Sequence, residues 1–246
     1  MSASNFSALA PMVNKLAQRS KLGSVETETL LNLPHTLTNI SAGTYLVRET
    51  LRSESAIVLL AGFAFRSKVA SHGARQILSI HLPGDLIDLQ NSLMSVADHS
   101  IQALTWAEVA LIPHQAIFEA SEAFPAIAQA LWRDTMVDSS IYREWLLNVG
   151  QRNARQRIAH LFCELALRQE AAGLCKGPLY KLPMTQEQIG DATGLTGVHV
   201  NRTMQHLRSE GLIATSQGSV AVVNWKQLQE AADFDSAYLH LPVAAA

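Results

Sequence analysis

The chain has 246 residues, 48% of them hydrophobic, and a formal net charge of −2. This length allows one large domain or two smaller ones with packed cores. No apolar run approaches the roughly 20 residues of a membrane-spanning helix. The basic residues of the N-terminal stretch follow a weakly apolar segment, which is not the layout of a signal peptide. The sequence therefore predicts a cytoplasmic protein that does not enter a membrane.

The first 113 residues change from helical to β-rich. Residues 5–21 predict an amphipathic helix, and residues 25–33 predict a second helical piece stopped by Pro34. From about 36 to 113, short β-rich runs alternate with turn sequences, and the longest run spans residues 56–69. Short strands at this spacing predict a sandwich, barrel or jelly-roll, whose apolar interior can hold a ligand.

A long helix is predicted from Pro125 to about Gly150, because neither glycine nor proline interrupts the stretch between them. Proline suits the first turn of a helix. This helix suits the axis of a dimer, and the alternative is an ordinary helix packed on its own domain. Five apolar residues recur along it at heptad-like spacing and are the predicted dimer contacts: Ile127, Leu131, Val137, Ile141 and Trp145.

Residues 153–172 predict a further helix, and residues 173–183 predict a loop. The stretch 185–213 then predicts two short helices joined by a tight turn. Thr185 is a suitable N-cap, and Gln188 three residues later completes a capping box. Gly194 ends the first helix, where a positive φ is needed.

The second of these helices runs from Gly197 to Glu210 and is capped by Thr196. Its buried stripe comprises Val200, Met204 and Leu207. The opposite face carries Gly197, Val198, Asn201 and Arg202, flanked by His199, Gln205, His206 and Arg208. In a DNA major groove, arginine can bind guanine, asparagine can bind adenine, and valine can contact a thymine methyl group.

Two observations around this helix favour DNA over a helical pair with a solvated outer face. Leu212–Val223 predicts a β-hairpin, or wing, around Gln217 and Gly218. Residues 151–213 carry eight basic and five acidic side chains, although the whole chain is slightly acidic. The sequence therefore predicts a winged helix-turn-helix that binds double-stranded DNA.

This layout resembles the Crp/Fnr family of bacterial transcription regulators. The resemblance rests on residues 81–85 (HLPGD), 156–159 (QRIA), 185–213 and 234–241, and the phrase from Leu195 to Ile213 is especially similar to an alphaproteobacterial branch. It implies an α+β protein with an N-terminal double-stranded β-helix (a jelly-roll of the cyclic-nucleotide-binding type), a long dimerisation helix and a C-terminal winged helix-turn-helix. The implied domains are 1–124, 125–152 and 153–246.

The resemblance also implies a homodimer that binds a palindromic operator and recruits or blocks RNA polymerase. The residues expected to contact DNA are Thr185, Gln186, Thr196, Gly197, Val198, His199, Asn201, Arg202 and His206. The expected pocket for a small-molecule effector comprises Gly84, Asp85, Leu86, His99 and Ser100. Members that bind cyclic nucleotides grip the phosphate with an Arg-Ser pair. The corresponding residues 97–100 contain no arginine, so a cyclic phosphate would lose its strongest charge-assisted contact and cyclic AMP is not expected to bind. The effector is not identified by the sequence.

Cofactor chemistry and catalysis are not expected. Iron–sulfur members use four cysteines, whereas this chain has only Cys163 and Cys175, which we interpret as reduced structural thiols. A single histidine such as His81 or His99 is more often structural than a haem ligand. A metal enzyme would need clustered histidine and carboxylate ligands, and the histidines at 72, 81, 99 and 114 are scattered.

One alternative remains at this point. The chain could be a cupin-like β-roll that binds a ligand or metal and uses its winged helix for contacts with another protein. The basic excess and the face that carries Asn201 and Arg202 favour DNA as the partner.

Overall fold

The computed structural model describes residues 7–94, 96–216 and 218–241. By its internal contacts the chain divides into two units. The first comprises the described residues of Met1–Phe65, His81–Asp138 and Leu241–Ala246, and the second comprises those of Arg66–Ile80 and Ser139–His240. The three-domain division given above follows different boundaries and stays a prediction. Within the described residues, no helix combines the length and the apolarity needed to cross a bilayer.

The strands form three sheets. They are β1 (Thr36–Ile40), β2 (Tyr45–Val47), β3 (Ser55–Ala61), β4 (Ala64–Val69), β5 (Arg75–His81), β6 (Leu86–Ile87), β7 (Ser100–Ala103), β8 (Ala107–Pro113), β9 (Leu179–Lys181), β10 (Ile213–Ser216) and β11 (Ser219–Val222). Two four-stranded sheets have the orders β1-β8-β3-β6 and β2-β7-β4-β5, and a third has the order β10-β11-β9. The long run predicted over 56–69 is two strands, separated at Gly62 and Phe63.

The helices flank the first sheet and build most of the second unit. They are α1 (Ala10–Arg19), α2 (Ser24–Leu31), α3 (His114–Ala123), α4 (Pro125–Gln151), α5 (Ala154–Ala171), α6 (Gln186–Thr193), α7 (Gly197–Ser209) and α8 (Trp225–Ala232). Short 3-10 turns cover Leu89–Ser92 and Ser236–Leu239. Antiparallel sheets followed by a helical C-terminal region confirm the predicted α+β class. Residues 5 and 6 of the predicted first helix lie outside the described residues.

The strand β3 supplies two cores because side chains alternate between the faces of a strand. Ala56 and Val58 pack in one apolar cluster with α1, α3 and the start of α4. Ile57 and Leu59 pack in the other cluster with Ile101 and further side chains of the roll. Burial on both faces explains the continuous apolar run, and the second cluster occupies the apolar interior that the sequence predicts for the roll.

An ionic cluster attaches α1 to the start of α4. The Lys15 Nζ atom lies 3.0 Å from carboxylate oxygens of both Asp85 and Asp134, and Arg19 pairs with Asp134 at 3.1 Å. Burial alone would lower the pKa of Lys15, but Asp134 and Asp85 outweigh it and raise the pKa, so the ammonium stays charged.

The helix α5 is the centre of the second unit. Its N-terminus has a capping box between Asn153 and Gln156, and Ile158 and Phe162 are fully buried. It contacts α6, α7, α8 and β9. Arg75, which belongs to the same unit, forms an ion pair of 2.7 Å with Asp191 of α6. These contacts fix the first helix of the predicted DNA-binding motif.

Glu164 of α5 has no exposed surface. Its carboxylate accepts hydrogen bonds from Trp145 Nε1 at 2.9 Å and from the Tyr238 hydroxyl at 2.8 Å. Arg168 donates to its other oxygen at 3.2 Å. These bonds join α4, α5 and the segment that follows α8, and they satisfy a charge that would otherwise be costly to bury.

His160 of α5 makes the second unit sensitive to acid. Burial, and to a smaller extent Arg152, lowers its pKa from 6.5 to about 3. Glu144 lies 3.2 Å from Nε2, but this carboxylate already pairs with Arg152 at 2.7 Å. The folded protein therefore holds a neutral imidazole, packed against the rings of Phe234 and Tyr238.

We expect the stability that depends on neutral His160 to be complete above pH 6.5 and to fall as the pH falls towards 3. The unfolded chain takes up the proton in that window and the folded chain does not, which costs about 1.4 kcal/mol per pH unit. Between pH 7 and pH 5 the wild type should lose about 2 kcal/mol more than His160→Phe, which keeps the ring packing. Urea unfolding at the two pH values measures this. The same pH dependence in both proteins would contradict the assignment.

The helix α4 buries the five residues predicted as dimer contacts. Ile127, Leu131, Val137, Ile141 and Trp145 are each at most 7% exposed within one chain. Their side chains are therefore not available to a second chain. The exposed apolar side chains of the same helix are Trp132, Met136, Leu146 and Leu147, at 68%, 47%, 71% and 44%.

Candidate DNA-binding site

The first helix of the motif, α6, begins with the predicted capping box. The Thr185 hydroxyl accepts from the Gln188 amide at 3.2 Å, and the Gln188 side chain accepts from the Thr185 amide at 2.8 Å. Gly194 ends the helix with φ +66°, as predicted. A Cβ on Gly190 would collide with the Leu195 carbonyl oxygen, so this glycine lets the turn pass close to α6.

The second helix, α7, is anchored by the predicted stripe. Val200 and Leu207 are fully buried and Met204 is 8% exposed. Thr196 caps the N-terminus by accepting from the His199 amide at 3.3 Å. Burial of this stripe fixes the rotation of α7, so the opposite side of its first two turns must face outward.

The outward side forms one shallow groove with the start of α6. It is lined by Gln186, Gly197, Val198, Asn201, Arg202 and Gln205. Val198 is 74% exposed, and Arg202 is also exposed. Five of the nine residues predicted to contact DNA line this groove. Gln205 also lines the groove, although the sequence predicts it only as a residue that flanks the outer face of the helix.

The other four predicted DNA contacts lie around the groove. Thr185 and Thr196 cap the two helices, and His199 is exposed. The Nε2 atom of His206 lies 3.0 Å from a carboxylate oxygen of Glu210. Thr185 and Thr196 stand at helix N-termini, where backbone amides favour anionic groups such as phosphates.

The wing follows α7 directly. Strands β10 and β11 pair antiparallel, with Ile213 opposite Val222. Arg208, near the end of α7, donates to Thr215 of the wing at 2.9 Å. The hairpin was predicted, although Gln217 of its turn lies outside the described residues. The structure adds a third strand, β9, within the predicted loop 173–183.

The polar groups of the residues predicted to form an effector pocket bind other groups of the protein. Asp85 accepts from the Leu82 amide at 2.9 Å in addition to pairing with Lys15. His99 lies between Asp88 and Asp98, at 3.0 Å and 2.6 Å. Gly84 and Leu86 are also buried, and the Ser100 hydroxyl accepts from the Glu49 amide at 3.1 Å. An effector bound there would have to replace these bonds, so the pocket stays a prediction.

Neither cysteine is placed for thiolate chemistry. Both are free, and Cys163 is buried. Burial raises the pKa of Cys163 to about 12 and also raises the pKa of Cys175. In the part of the chain that the structure describes, no three or more His, Cys, Asp or Glu side chains are grouped to hold a metal ion.

Comparison with known proteins gives the same architecture. FixK2 from Bradyrhizobium japonicum matches 87% of this chain and 100% of its own, with a TM-score of 0.73 and 24% identity. A CooA mutant from Carboxydothermus hydrogenoformans matches 89% of this chain and 94% of its own, with a TM-score of 0.66 and 16% identity. At these identities the likeness concerns the fold.

Sequence relatives carry the assignment to a family. The transcriptional activator protein FnrL of Cereibacter sphaeroides is 30% identical over 182 residues, which cover 72% of this chain and 73% of the relative. The transcriptional regulatory protein Btr of Bordetella pertussis is 30% identical over 160 residues, covering 65% and 66% of the two chains. A family described as the Crp-like helix-turn-helix domain matches residues 156–231.

These relatives are transcription regulators and not enzymes, and they do not favour the cupin-like alternative. The match over 156–231 covers the turn, the groove and the wing. The chain therefore belongs to the Crp/Fnr family and is a DNA-binding transcription regulator.

Proposed function

We propose that the protein binds a two-fold symmetric DNA site as a homodimer, with α7 of each chain in a major groove. The observation that carries this proposal is the outward face of α7, where Val198, Asn201 and Arg202 share one groove with Gln186. The N-terminal part of a recognition helix contacts the base edges in a helix-turn-helix complex. Arg202 provides a donor fork for guanine, and Val198 provides an apolar contact for a thymine methyl group.

A second copy of the chain packs along the exposed stripe of α4. This stripe has alternating spacings of four and three residues, as in the seam of a two-stranded coiled coil. It comprises Trp132, Met136, Ser139, Arg143 and Leu146. Exposed tryptophan, methionine and leucine on one helix form an apolar surface that a partner helix can cover. We therefore propose that this stripe, and not the buried face of α4 that the sequence predicts, forms the dimer contact.

Phosphate contacts position the two chains on the duplex. Gln186 and Gly197, the first residues of α6 and α7, line the groove, and free backbone amides at a helix N-terminus can bind phosphate oxygens. Thr185, Gln186 and Thr196 stand at these termini, and His199 and His206 flank α7. This part of the interface fixes orientation and carries no sequence information of its own.

The remaining parts of the proposal concern the cellular role. The dimer acts in the cytoplasm, where bacterial DNA lies, and recruits or blocks RNA polymerase at its operator. Residues 1–124 form the sensor, 125–152 the dimerisation helix and 153–246 the DNA-binding domain. We also propose that the protein binds its site without an added ligand and that an effector of the sensor modulates this binding, because an effector in the predicted pocket would have to displace the contacts of Asp85, His99 and Ser100.

We expect Arg202→Ala to lose about 1–3 kcal/mol of binding free energy at one base pair and to relax the preference there. The reason is the loss of the only arginine in the groove. Fluorescence anisotropy measures the effect, with the DNA site that the wild type selects from random duplexes and with each single base-pair change of that site. Lys226→Ala removes the same charge from an exposed position of α8 and controls for general electrostatics. Unchanged base preference in Arg202→Ala would rule out its assigned role.

A further inference from the structure

Two side chains that line the groove join α6 and α7 by a hydrogen bond. Gln186 is the first residue of α6, and Asn201 lies in the second turn of α7. The Asn201 Nδ2 group donates a hydrogen bond of 3.1 Å to Gln186 Oε1. Both residues line the groove together with Arg202. The bond restricts the rotation of the Asn201 amide on the face that meets the DNA.

We propose that Gln186 is a positioning residue that holds Asn201 in the orientation that recognises adenine. The inference rests on the proposed function, because it assigns a base and a supporting side chain to the same groove. Gln186 acts through Asn201 and contacts no base itself.

The donors and the acceptor that the Asn201 side-chain amide presents determine which base it can recognise. Asparagine carries two N–H donors and one carbonyl acceptor. With one N–H bound to Gln186, Asn201 still presents one N–H and Oδ1. That couple matches the N7 acceptor and the N6 donor of adenine. If Gln186 instead donated to Oδ1, Asn201 would present only N–H groups, which match the two acceptors of guanine.

The position of Gln186 selects the first arrangement. The first helix of a helix-turn-helix crosses the DNA backbone, and Gln186 opens that helix. With Oε1 bound to Asn201, the Nε2 group is left to donate to a phosphate oxygen. The reversed amide would direct Oε1 towards the phosphates, which offer only acceptors. One chain of hydrogen bonds then runs from phosphate through Gln186 and Asn201 to the base.

The test compares wild type, Gln186→Ala, Asn201→Ala and the double variant on the site selected by the wild type and on every single base-pair change within a half-site. We expect Asn201→Ala to lose about tenfold discrimination in favour of A·T at one base pair. Gln186→Ala should lose several-fold discrimination at that same pair, and the double variant should lose no more than Asn201→Ala alone.

Gln186→Glu separates the two ends of the hydrogen-bond chain. Its carboxylate still accepts from Asn201 but cannot donate to phosphate, so the adenine preference should persist while affinity for all sequences falls. Gln227→Ala removes an exposed glutamine side chain from α8 and should match the wild type. Circular dichroism and thermal unfolding confirm that each variant is folded.

Three results would overturn the inference. They are guanine at the Asn201-dependent pair, an unchanged A·T preference in Gln186→Ala, or losses from the two single variants that simply add. A wild-type protein that selects no sequence would instead overturn the proposed function, so the two failures are distinguishable.

Discussion

Replacing Glu164 with alanine should lower the free energy of unfolding of the second unit by about 3–5 kcal/mol, because it leaves buried polar groups without their charged partner. Trp145, Arg168 and Tyr238 all donate to this carboxylate. Burial and then Glu164 raise the pKa of Tyr238, so its hydroxyl keeps the proton that it donates. Hydrogen exchange of the α5 amides in increasing urea measures the effect on the second unit.

The matched control for this variant is Glu170→Ala, which removes an exposed glutamate from the same helix. A surface change of this kind should alter stability by no more than about 0.5 kcal/mol. Because α5 contacts both helices of the motif, Glu164→Ala should also lose DNA binding at temperatures where the wild type still binds. Equal stability of the two glutamate variants would show that the buried hydrogen bonds contribute little.

Replacing Leu146 with glutamate should convert the proposed dimer to a monomer. It should also lower affinity for the proposed symmetric DNA site by about 100-fold or more, because each α7 then binds without the avidity of its partner. Leu146 is 71% exposed in the single chain and lies on the proposed stripe. Across a two-fold axis the new carboxylates would approach each other in an apolar seam, where unpaired charge is costly. Sedimentation velocity and anisotropy measure the two effects.

Val25→Glu is the control for the dimer, because Val25 is a 56% exposed aliphatic residue of α2, outside the stripe. This variant should remain a dimer and bind DNA like the wild type. A Leu146→Glu protein that still sediments as a dimer would place the contact elsewhere. Half-site affinity should change little in either variant, since α7 and its support by α5 are untouched.

The DNA-binding motif could be predicted because short-range chemistry fixes it. Thr185 and Gln188 form their capping box within one helical turn, and the spacing of Val200, Met204 and Leu207 already defines one buried face of α7. The face opposite a known buried stripe is also known. The sequence alone therefore assigns Asn201 and Arg202 to the exposed face of α7.

The dimer contact that we propose on α4 could not be chosen from the same periodicity. Its sequence carries apolar residues on two faces, one with Ile127 and Ile141 and the other with Trp132 and Leu146. The face that stays exposed depends on side chains far away in the sequence: α1 packs against the start of α4, and Glu164 holds Trp145. Tertiary packing, and not the helical pattern, therefore determines which face of α4 stays exposed.

Contacts between residues far apart in the sequence also determine the strand β9 and the bonds within the predicted effector pocket. The strand β9 forms by pairing with β11, and Tyr180 lies opposite Val220, forty residues later. The short segment between Gly177 and Pro183 therefore predicts a loop when it is considered without its partner strand. Asp85 is committed to Lys15, seventy residues earlier in the chain. The Gln186–Asn201 bond is likewise formed between two helices, and neither helix alone predicts it.

The most direct test of the central claim is selection of random duplex DNA by the purified chain without added ligand. We predict enrichment of one two-fold symmetric site whose half-sites lie about one helical turn apart. Two chains should bind this site, and Arg202→Ala should relax the preference at one base pair of each half-site. Absence of enrichment, or enrichment of an asymmetric site bound by a single chain, would contradict the account of a dimeric regulator that uses α7 to recognise its operator.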